Sequence, residues 1–242
     1  MPYALFYHCP RANARMECGG ARSCQDGRMS DTPFVIWNNE PADRTNTPLV
    51  VMFHGYGSHE EDLLAMIPAL LPTATYASLR APQQAGMGYQ WFPLSGDLSF
   101  SSDAVIAAVE PVSAWIQDQA QHHSKVFLLG FSQGMAVATS VARHIPETVD
   151  AVVGLSGFAV PIAADDAHAD FFNDAYLKEH PLPMFWGRDP EDPVIPQLMV
   201  DATADWTVDH AEVTKVQYRG IGHGVSPQEL GHIKEYLQHV VG

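Results

Sequence analysis

The fold is decided by residues 125–141, which read KVFLLGFSQGMAVATSV. The apolar run at 125–129 predicts a short buried strand, and the small and apolar residues at 135–141 predict a closely packed helix. Between them, residues 130–134 match Gly-x-Ser-x-Gly. Glycines at both ends of this motif leave room for a strained turn that lifts the Ser132 hydroxyl out of the sheet. The context on both sides therefore predicts a strand-to-helix turn that presents a nucleophilic serine.

Length and composition limit the class of protein. The chain has 242 residues, of which 46% are hydrophobic and 17% charged, which suits one large α/β domain with a substantial core. Its formal net charge of −15 makes nucleic acid an unsuitable partner. No stretch approaches the ~20 apolar residues needed to span a bilayer, so we expect no stable membrane insertion.

The first 29 residues differ in composition from the rest. They contain four Arg and two acidic residues without apolar periodicity, whereas residues 30–242 contain nine basic and 26 acidic residues. We expect residues 1–29 to be a disordered N-terminal extension and residues 30–242 to form a single domain. All three cysteines, Cys9, Cys18 and Cys24, lie in this extension, at spacings that match no zinc pattern. A cysteine-free remainder indicates a cytoplasmic protein.

Strand and helix patterns alternate along residues 30–242. Beside the strand before Ser132, five apolar runs predict buried strands. They are residues 49–53, 76–79, 150–156, 183–186 and 213–218. This alternation predicts an α/β fold with a mainly parallel central sheet and helices on both faces.

The segments between these strands carry further patterns. Leu and Ile at helical spacing predict a helix over 63–71, and a final helix is predicted over 227–241. Residues 101–103 supply capping chemistry for another helix, which Pro111 should kink or divide. Residues 83–100 predict a long loop over the sheet.

A serine hydroxyl needs a base to accept its proton, and the base needs an acid to orient it. His223 is the candidate base, because the glycine-rich loop around it follows the last predicted strand and can reach the turn at Ser132. The candidate acids lie in the loop 187–196. Asp192 is preferred because prolines fix the backbone beside it, and Asp189 is the alternative acid. The structural interpretation of Asp189 is an ion pair with Arg188.

The oxyanion that forms during acyl transfer needs two preorganised N–H donors. The residue after the nucleophile, Gln133, supplies one backbone amide at a helix N-terminus, where the helix dipole also favours negative charge. The second donor is expected in the loop after strand 49–53, where the sequence reads His-Gly-Tyr-Gly, and we assign it to the Tyr56 amide. His54 is expected to brace this loop by hydrogen bonds rather than to act as a base.

From about residue 48 onward, the chain resembles the carboxylesterase/phospholipase group of α/β-hydrolases, which includes acyl-protein thioesterases and lysophospholipases. The resemblance rests on the motif at 54–57, the Gly-Phe-Ser-Gln-Gly turn at 130–134, and Asp-Pro-Val-Ile-Pro at 192–196 followed by Gly-His-Gly at 222–224. It implies the α/β-hydrolase fold. It also implies a catalytic triad and an oxyanion hole. The implied triad is Ser132, Asp192 and His223, and the implied oxyanion donors are the Tyr56 and Gln133 amides.

Two positions depart from the family pattern. Five positions separate Gly187 from Asp192, which is longer than the common Gly-x-x-Asp-Pro form and keeps Asp189 open as the acid. Pro93 follows the Trp-Phe pair where the family often has Asp. Trp91 and Phe92 resemble the family's substrate loop and, with Phe158, are candidate acyl contacts. Ordinary core packing is the other interpretation of all three.

The residues together predict a serine hydrolase that cleaves carboxylic esters through an acyl-enzyme, with thioesters and lysophospholipids as further candidate substrates. The reaction requires no metal and no organic cofactor. Two alternatives stay open, namely an acyltransferase or perhydrolase that uses the same triad, and a non-catalytic binding protein on the same scaffold. The expected partner is a small-molecule ester, and a homodimer is left open.

Overall fold

The computed structural model describes residues 32–162 and 166–242. The predicted extension at residues 1–29 lies outside the described residues. The single domain from residue 30 onward stays a prediction.

A seven-stranded sheet organises the described residues. They contain nine strands, namely β1 (Val35–Trp37), β2 (Pro48–Phe53), β3 (Thr75–Leu79), β4 (Gln83–Ala85), β5 (Gly88–Gln90), β6 (Lys125–Phe131), β7 (Ala151–Leu155), β8 (Leu182–Arg188) and β9 (Ala211–Gln217). The sheet has the order β1-β3-β2-β6-β7-β8-β9, and every neighbouring pair is parallel except β1 with β3. The chain leaves β2 and β6 toward opposite edges. The carboxyl ends of these two strands therefore form the topological switch point, which is where open α/β sheets usually bind their ligands.

Helices cover both faces of this sheet. They are α1 (Ser102–Ala120), α2 (Gln133–His144), α3 (Asp174–Glu179), α4 (Gln197–His210) and α5 (Pro227–Val241). Side chains along each strand alternate between two apolar clusters: Leu49 and Val51 pack with residues of α1 to α4, whereas Val50 and Met52 pack with residues of α5. The predicted mainly parallel sheet with helices on both faces is thereby confirmed.

Two helices differ from what the sequence predicted. The predicted helix over 63–71 is a short 3-10 helix at Leu64–Ala69, because Pro68 lies inside it and cannot donate the backbone hydrogen bond of an α-helix. Pro111 does not divide α1, which runs unbroken over 19 residues. The buried stripe that includes Val109 and Ile116 holds α1 against the sheet despite the lost hydrogen bond.

The segment 83–100 begins with a β-hairpin rather than a loop. Strands β4 and β5 pair antiparallel around a turn at Gly86, where φ is 61°. This hairpin continues into the loop after β2, because the Gly57 amide donates to the Tyr89 carbonyl at 2.8 Å and the Tyr89 amide donates to the Ser58 carbonyl at 2.7 Å. The hairpin therefore fixes the loop that was predicted to carry an oxyanion donor.

One carboxyl group lies deep at the start of α5. Ser226 and Glu229 form a capping box, in which the Ser226 hydroxyl accepts from the Glu229 amide. Glu229 is fully buried against Gly187, and its Oε1 atom has no hydrogen-bond partner among the described residues. Burial raises the pKa of Glu229 to about 7 from its ordinary 4.5.

We expect Glu229→Gln to stabilise the protein above pH 7. Between about pH 4.5 and 7 the folded state holds a proton on Glu229 that the unfolded chain has released, so the free energy of unfolding falls as the pH rises through this window. Glutamine keeps the capping box but cannot ionise. The free energy of unfolding of the variant should exceed that of the wild type by on the order of 2 kcal/mol at pH 8 and should equal it near pH 4. Urea denaturation at both pH values measures this.

Glu235→Gln is the matched control, since Glu235 is exposed on the same helix. It should leave the free energy of unfolding within about 0.5 kcal/mol at both pH values. An equal gain for Glu229→Gln at pH 4 and pH 8 would contradict the assignment of a buried, neutral carboxyl group.

Candidate active site

Ser132 occupies the strained turn that the motif predicts. It connects β6 to α2 with φ 56° and ψ −118°, a backbone conformation that residues other than glycine rarely adopt. A Cβ on Gly130 would overlap the Gly134 carbonyl, and a Cβ on Gly134 would overlap the Phe53 carbonyl at the end of β2. Both glycines are therefore required for α2 to begin so close to the two strands.

Three side chains from separate loops meet at this turn. The His223 Nε2 atom lies 3.0 Å from the Ser132 Oγ atom, and its Nδ1 atom lies 2.8 Å from Asp192 Oδ2. An ionised carboxylate only accepts hydrogen bonds, so Nδ1 carries the proton and Nε2 presents its lone pair to the serine hydroxyl. Phe131 packs against the imidazole, with 5.0 Å between the ring centres.

The acid loop separates the two candidate carboxylates. Asp192 Oδ1 accepts from the Val194 amide at 2.8 Å, which leaves Oδ2 aimed at His223. Asp189 instead binds backbone amides, those of Glu191 and Gly222. These amides lower the pKa of Asp189.

The geometry therefore distinguishes the two acids. Of these two carboxylates, only that of Asp192 contacts the imidazole of His223. The expected ion pair of Asp189 with Arg188 does not form within the described part of the chain, where both carboxylate oxygens of Asp189 accept from backbone amides instead.

The loop after β2 approaches the nucleophile closely. A Cβ on Gly55 would lie 3.5 Å from the Ser132 Cβ, so the backbone of this loop runs directly beside the serine. Neither the Tyr56 amide nor the Gln133 amide donates a hydrogen bond to any residue within 32–162 or 166–242. Both predicted donors are therefore free to bind an oxygen of a ligand.

His54 braces the loop after β2, as predicted. Its Nδ1 atom lies 2.8 Å from the Gly55 carbonyl, and the Ala81 amide donates to its Nε2 atom at 3.1 Å. The ring is fully buried, and burial lowers its pKa. Since both ring nitrogens are occupied and the ring is neutral, His54 is not available as a base.

The side chain of Gln133 has a role that the sequence reasoning missed. Its Oε1 accepts from the Trp91 amide at 3.0 Å, and its Nε2 donates to the Phe92 carbonyl at 2.7 Å. Trp91 in turn donates from its indole to the His54 carbonyl at 2.9 Å. These bonds join the loop at 91–92 to the loop after β2 and to the turn at residues 130–134, which we call the elbow. A glutamine directly after the nucleophile was the available signal.

The three predicted acyl contacts lie in the core. Trp91 and Phe92 are 0% exposed and Phe158 is 1% exposed. Phe100 lies between the two phenylalanines, with ring centres 5.3 Å from Phe92 and 5.9 Å from Phe158. The interpretation as core packing therefore describes these side chains as they stand, and contact with an acyl group stays a prediction.

The described residues contain neither a metal-binding cluster nor a membrane-spanning helix. Within 32–162 and 166–242, no cluster of His, Cys, Asp and Glu has the arrangement to hold a metal ion. None of the helices in that part of the chain combines the length and the apolar character needed to cross a membrane.

Comparison with known proteins gives matches over most of the chain. The family model for phospholipases and carboxylesterases matches residues 35–241. The acyl-protein thioesterase 1 of Saccharomyces cerevisiae is 26% identical over 61% of this chain and 67% of that protein. The acyl-protein thioesterase 1 of Emericella nidulans is 23% identical over 88% of this chain and 97% of that protein. The crystal structure of the Bacillus cereus carboxylesterase superposes with a TM-score of 0.71 at 16% identity, covering 87% of this chain and 96% of the other, which establishes the α/β-hydrolase fold.

We expect Gln133→Leu to destabilise the protein by about 2–4 kcal/mol, because leucine has nearly the same volume but leaves the buried Trp91 amide and Phe92 carbonyl without partners. Chemical denaturation measures the loss. Gln117→Leu, on the exposed side of α1, is the control and should change stability by less than about 0.5 kcal/mol. Equal effects of the two substitutions would contradict the bracing role of the Gln133 side chain.

Proposed function

The chain belongs to the phospholipase/carboxylesterase family and is therefore a hydrolase of esters, and from this premise we propose that it acts through an acyl-enzyme on Ser132. The observation that carries the proposal is the hydrogen-bond chain from Asp192 through His223 to Ser132, with distances of 2.8 and 3.0 Å. Both distances lie within the range in which a base takes a proton from a nucleophile.

In the first step, the Ser132 oxygen attacks the carbonyl carbon of an ester while His223 Nε2 takes the hydroxyl proton. The carbonyl π bond becomes a lone pair on the oxygen, which now carries the negative charge. Asp192 stabilises the positive charge on the imidazole. The oxyanion then expels the alcohol, or the thiol of a thioester, and His223 returns its proton to that leaving group.

The Tyr56 and Gln133 amides are the proposed oxyanion donors. Support comes from their unoccupied N–H groups and from the close approach of Gly55 to Ser132. Donors fixed in place before the reaction do not need to reorganise as charge develops. The bonds of His54 serve this purpose because they brace the loop that carries the Tyr56 amide. The side-chain bonds of Gln133 do the same for the other donor, because they tie the first residue of α2 to residues 91 and 92.

In the second step, water replaces the leaving group. His223 takes a proton from this water as its oxygen attacks the acyl carbon, and the same proton returns to Ser132 when the ester bond to the enzyme breaks. The products are the carboxylic acid and the free enzyme. Adding an alcohol or hydrogen peroxide to the assay distinguishes hydrolysis from acyl transfer, because either acceptor would then appear in the product.

Esters with short acyl groups are the proposed substrates. A Cβ on Gly157 would overlap the Ser132 carbonyl, so Phe158 follows a residue that packs directly on the elbow. Trp91 and Phe92 are tied to Gln133 on the other side. Because these aromatic side chains are buried in one apolar cluster, a long acyl chain would have to displace packed core, which costs about 1–3 kcal/mol or more.

Ser132→Ala should lower kcat for a p-nitrophenyl ester by at least about 10⁴-fold, since the acyl-enzyme route is removed. It should also abolish labelling by a fluorophosphonate probe. Ser140→Ala is the matched control, because Ser140 is buried in α2, the helix that follows Ser132, and its hydroxyl has no partner among the described residues. Equal labelling of the Ser132→Ala variant and the wild type would contradict the proposal.

Across p-nitrophenyl esters from acetate to palmitate, kcat/KM should be highest for the shortest chains and at least about 10-fold lower for palmitate. Phe158→Ala should reduce the ratio of kcat/KM between the shortest ester and palmitate, because it opens space beside the elbow. Phe34→Ala removes an exposed ring before β1 and should leave this ratio of kcat/KM unchanged. A wild-type maximum at palmitate would reject the short-chain assignment.

A further inference from the structure

We infer that Asp189 and Ser156 position His223 by holding the backbone on its two sides. This inference rests on the proposed function, since it concerns the base of the same reaction. The two residues come from different loops, which follow β8 and β7. One binds the residue before His223 and the other binds the residue after it.

Asp189 holds the backbone on the N-terminal side of His223. It is 2% exposed, and its Oδ2 atom accepts from the Gly222 amide at 2.8 Å. Its Oδ1 atom accepts from the Glu191 amide at 2.9 Å, which orients the carboxylate within its own turn. Hydrogen bonds to an ionised carboxylate are about twice as strong as those between neutral groups. Asp189 therefore joins the acid loop to the histidine loop without contacting the imidazole.

Ser156 holds the backbone on the C-terminal side of His223. Its hydroxyl donates to the Gly224 carbonyl at 2.9 Å, and its own amide donates to the Gly187 carbonyl at 2.9 Å. The residue is fully buried, with φ at 42°, a left-handed conformation that few residues other than glycine adopt. The serine is thus fixed at the end of β7, and its hydroxyl fixes the backbone that follows His223.

The histidine loop needs such anchors because of its composition. Gly220 and Gly222 have φ values of 84° and 60°, and neither residue has a side chain that could pack and restrict the loop. His223 must nevertheless keep two hydrogen bonds at once, to Ser132 and to Asp192. A displacement of about 1 Å at a catalytic group can cost about 100-fold in rate. Anchors on both sides of the residue limit this displacement.

Asp189→Asn tests the first anchor. Asparagine has one accepting oxygen, so it can keep the bond from the Glu191 amide but turns its NH₂ group toward the Gly222 amide. We expect kcat to fall by about 10–100-fold with KM within about twofold, at equal concentrations of titrated active sites and well below the melting temperature. Glu191→Gln is the matched control, because it removes one negative charge from the same loop at an exposed side chain and should leave kcat unchanged.

Ser156→Gly tests the second anchor independently, because glycine accepts the φ of 42° and removes the CH₂OH group whose hydroxyl donates to the Gly224 carbonyl. It should lower kcat by about 3–30-fold with KM within about twofold. The double variant should lose less than the product of the two single effects, since both act on the same pose of His223. If Asp189→Asn does not fold, Ser156→Gly decides the inference alone.

The outcomes separate the two proposals. Wild-type kcat in Asp189→Asn and Ser156→Gly, beside an inactive Ser132→Ala, would overturn the positioning role and leave the acyl-enzyme in place. A lower melting temperature with unchanged kcat would also overturn it, because the two residues would then act on stability alone. Absence of any Ser132-dependent turnover in the wild type would overturn both.

Discussion

The close approach of α2 to the ends of β2 and β6 is the constraint on which the site depends. Gly134 packs against the Phe53 carbonyl with no space for a side chain, and this contact sets the helix, the nucleophile and the loop after β2 in one place. The loop that carries Tyr56 then has no other course than past Ser132. A substitution at Gly134 would move the helix away from both strands and separate the nucleophile from the oxyanion donors at once.

The polar side chains around this contact are hydrogen-bonded to the backbone. His54, Gln133 and Trp91 use their side chains on backbone groups of neighbouring loops. Such bonds contribute little to net stability individually, but breaking one leaves a buried partner unsatisfied. The site is therefore held by groups that do not react, and the reacting atoms can keep free hydrogen-bonding capacity for a substrate.

Much of this architecture follows from local patterns in the sequence. The strand before Ser132, the helix after it and the last helix at Pro227–Val241 have the apolar spacing that their burial requires. Helix α4 escaped prediction because two of its three buried positions are Thr203 and Thr207, which do not read as an apolar stripe. Strand β1 escaped because it has three half-buried residues. In both elements, tertiary packing decides what the local pattern leaves open.

The same distinction applies to the site. The motifs at Ser132 and His223 have fixed neighbours and could be recognised directly. The sequence favoured Asp192 because of its neighbouring prolines but left Asp189 open, because two carboxylates of one loop differ only in the direction that the turn gives them. The partners of Asp189 are backbone amides, which every residue except proline has and which therefore leave no trace in the sequence.

The conformation of Ser132 also bears on how this protein could change over evolutionary time. A non-glycine residue in such a region costs on the order of 1–3 kcal/mol, and glycine would relieve that cost at this position. A lineage that no longer needed the chemistry would thus gain thermodynamic robustness by discarding its nucleophile first. Inactive descendants of such a scaffold should have a higher free energy of unfolding than their catalytically active ancestors.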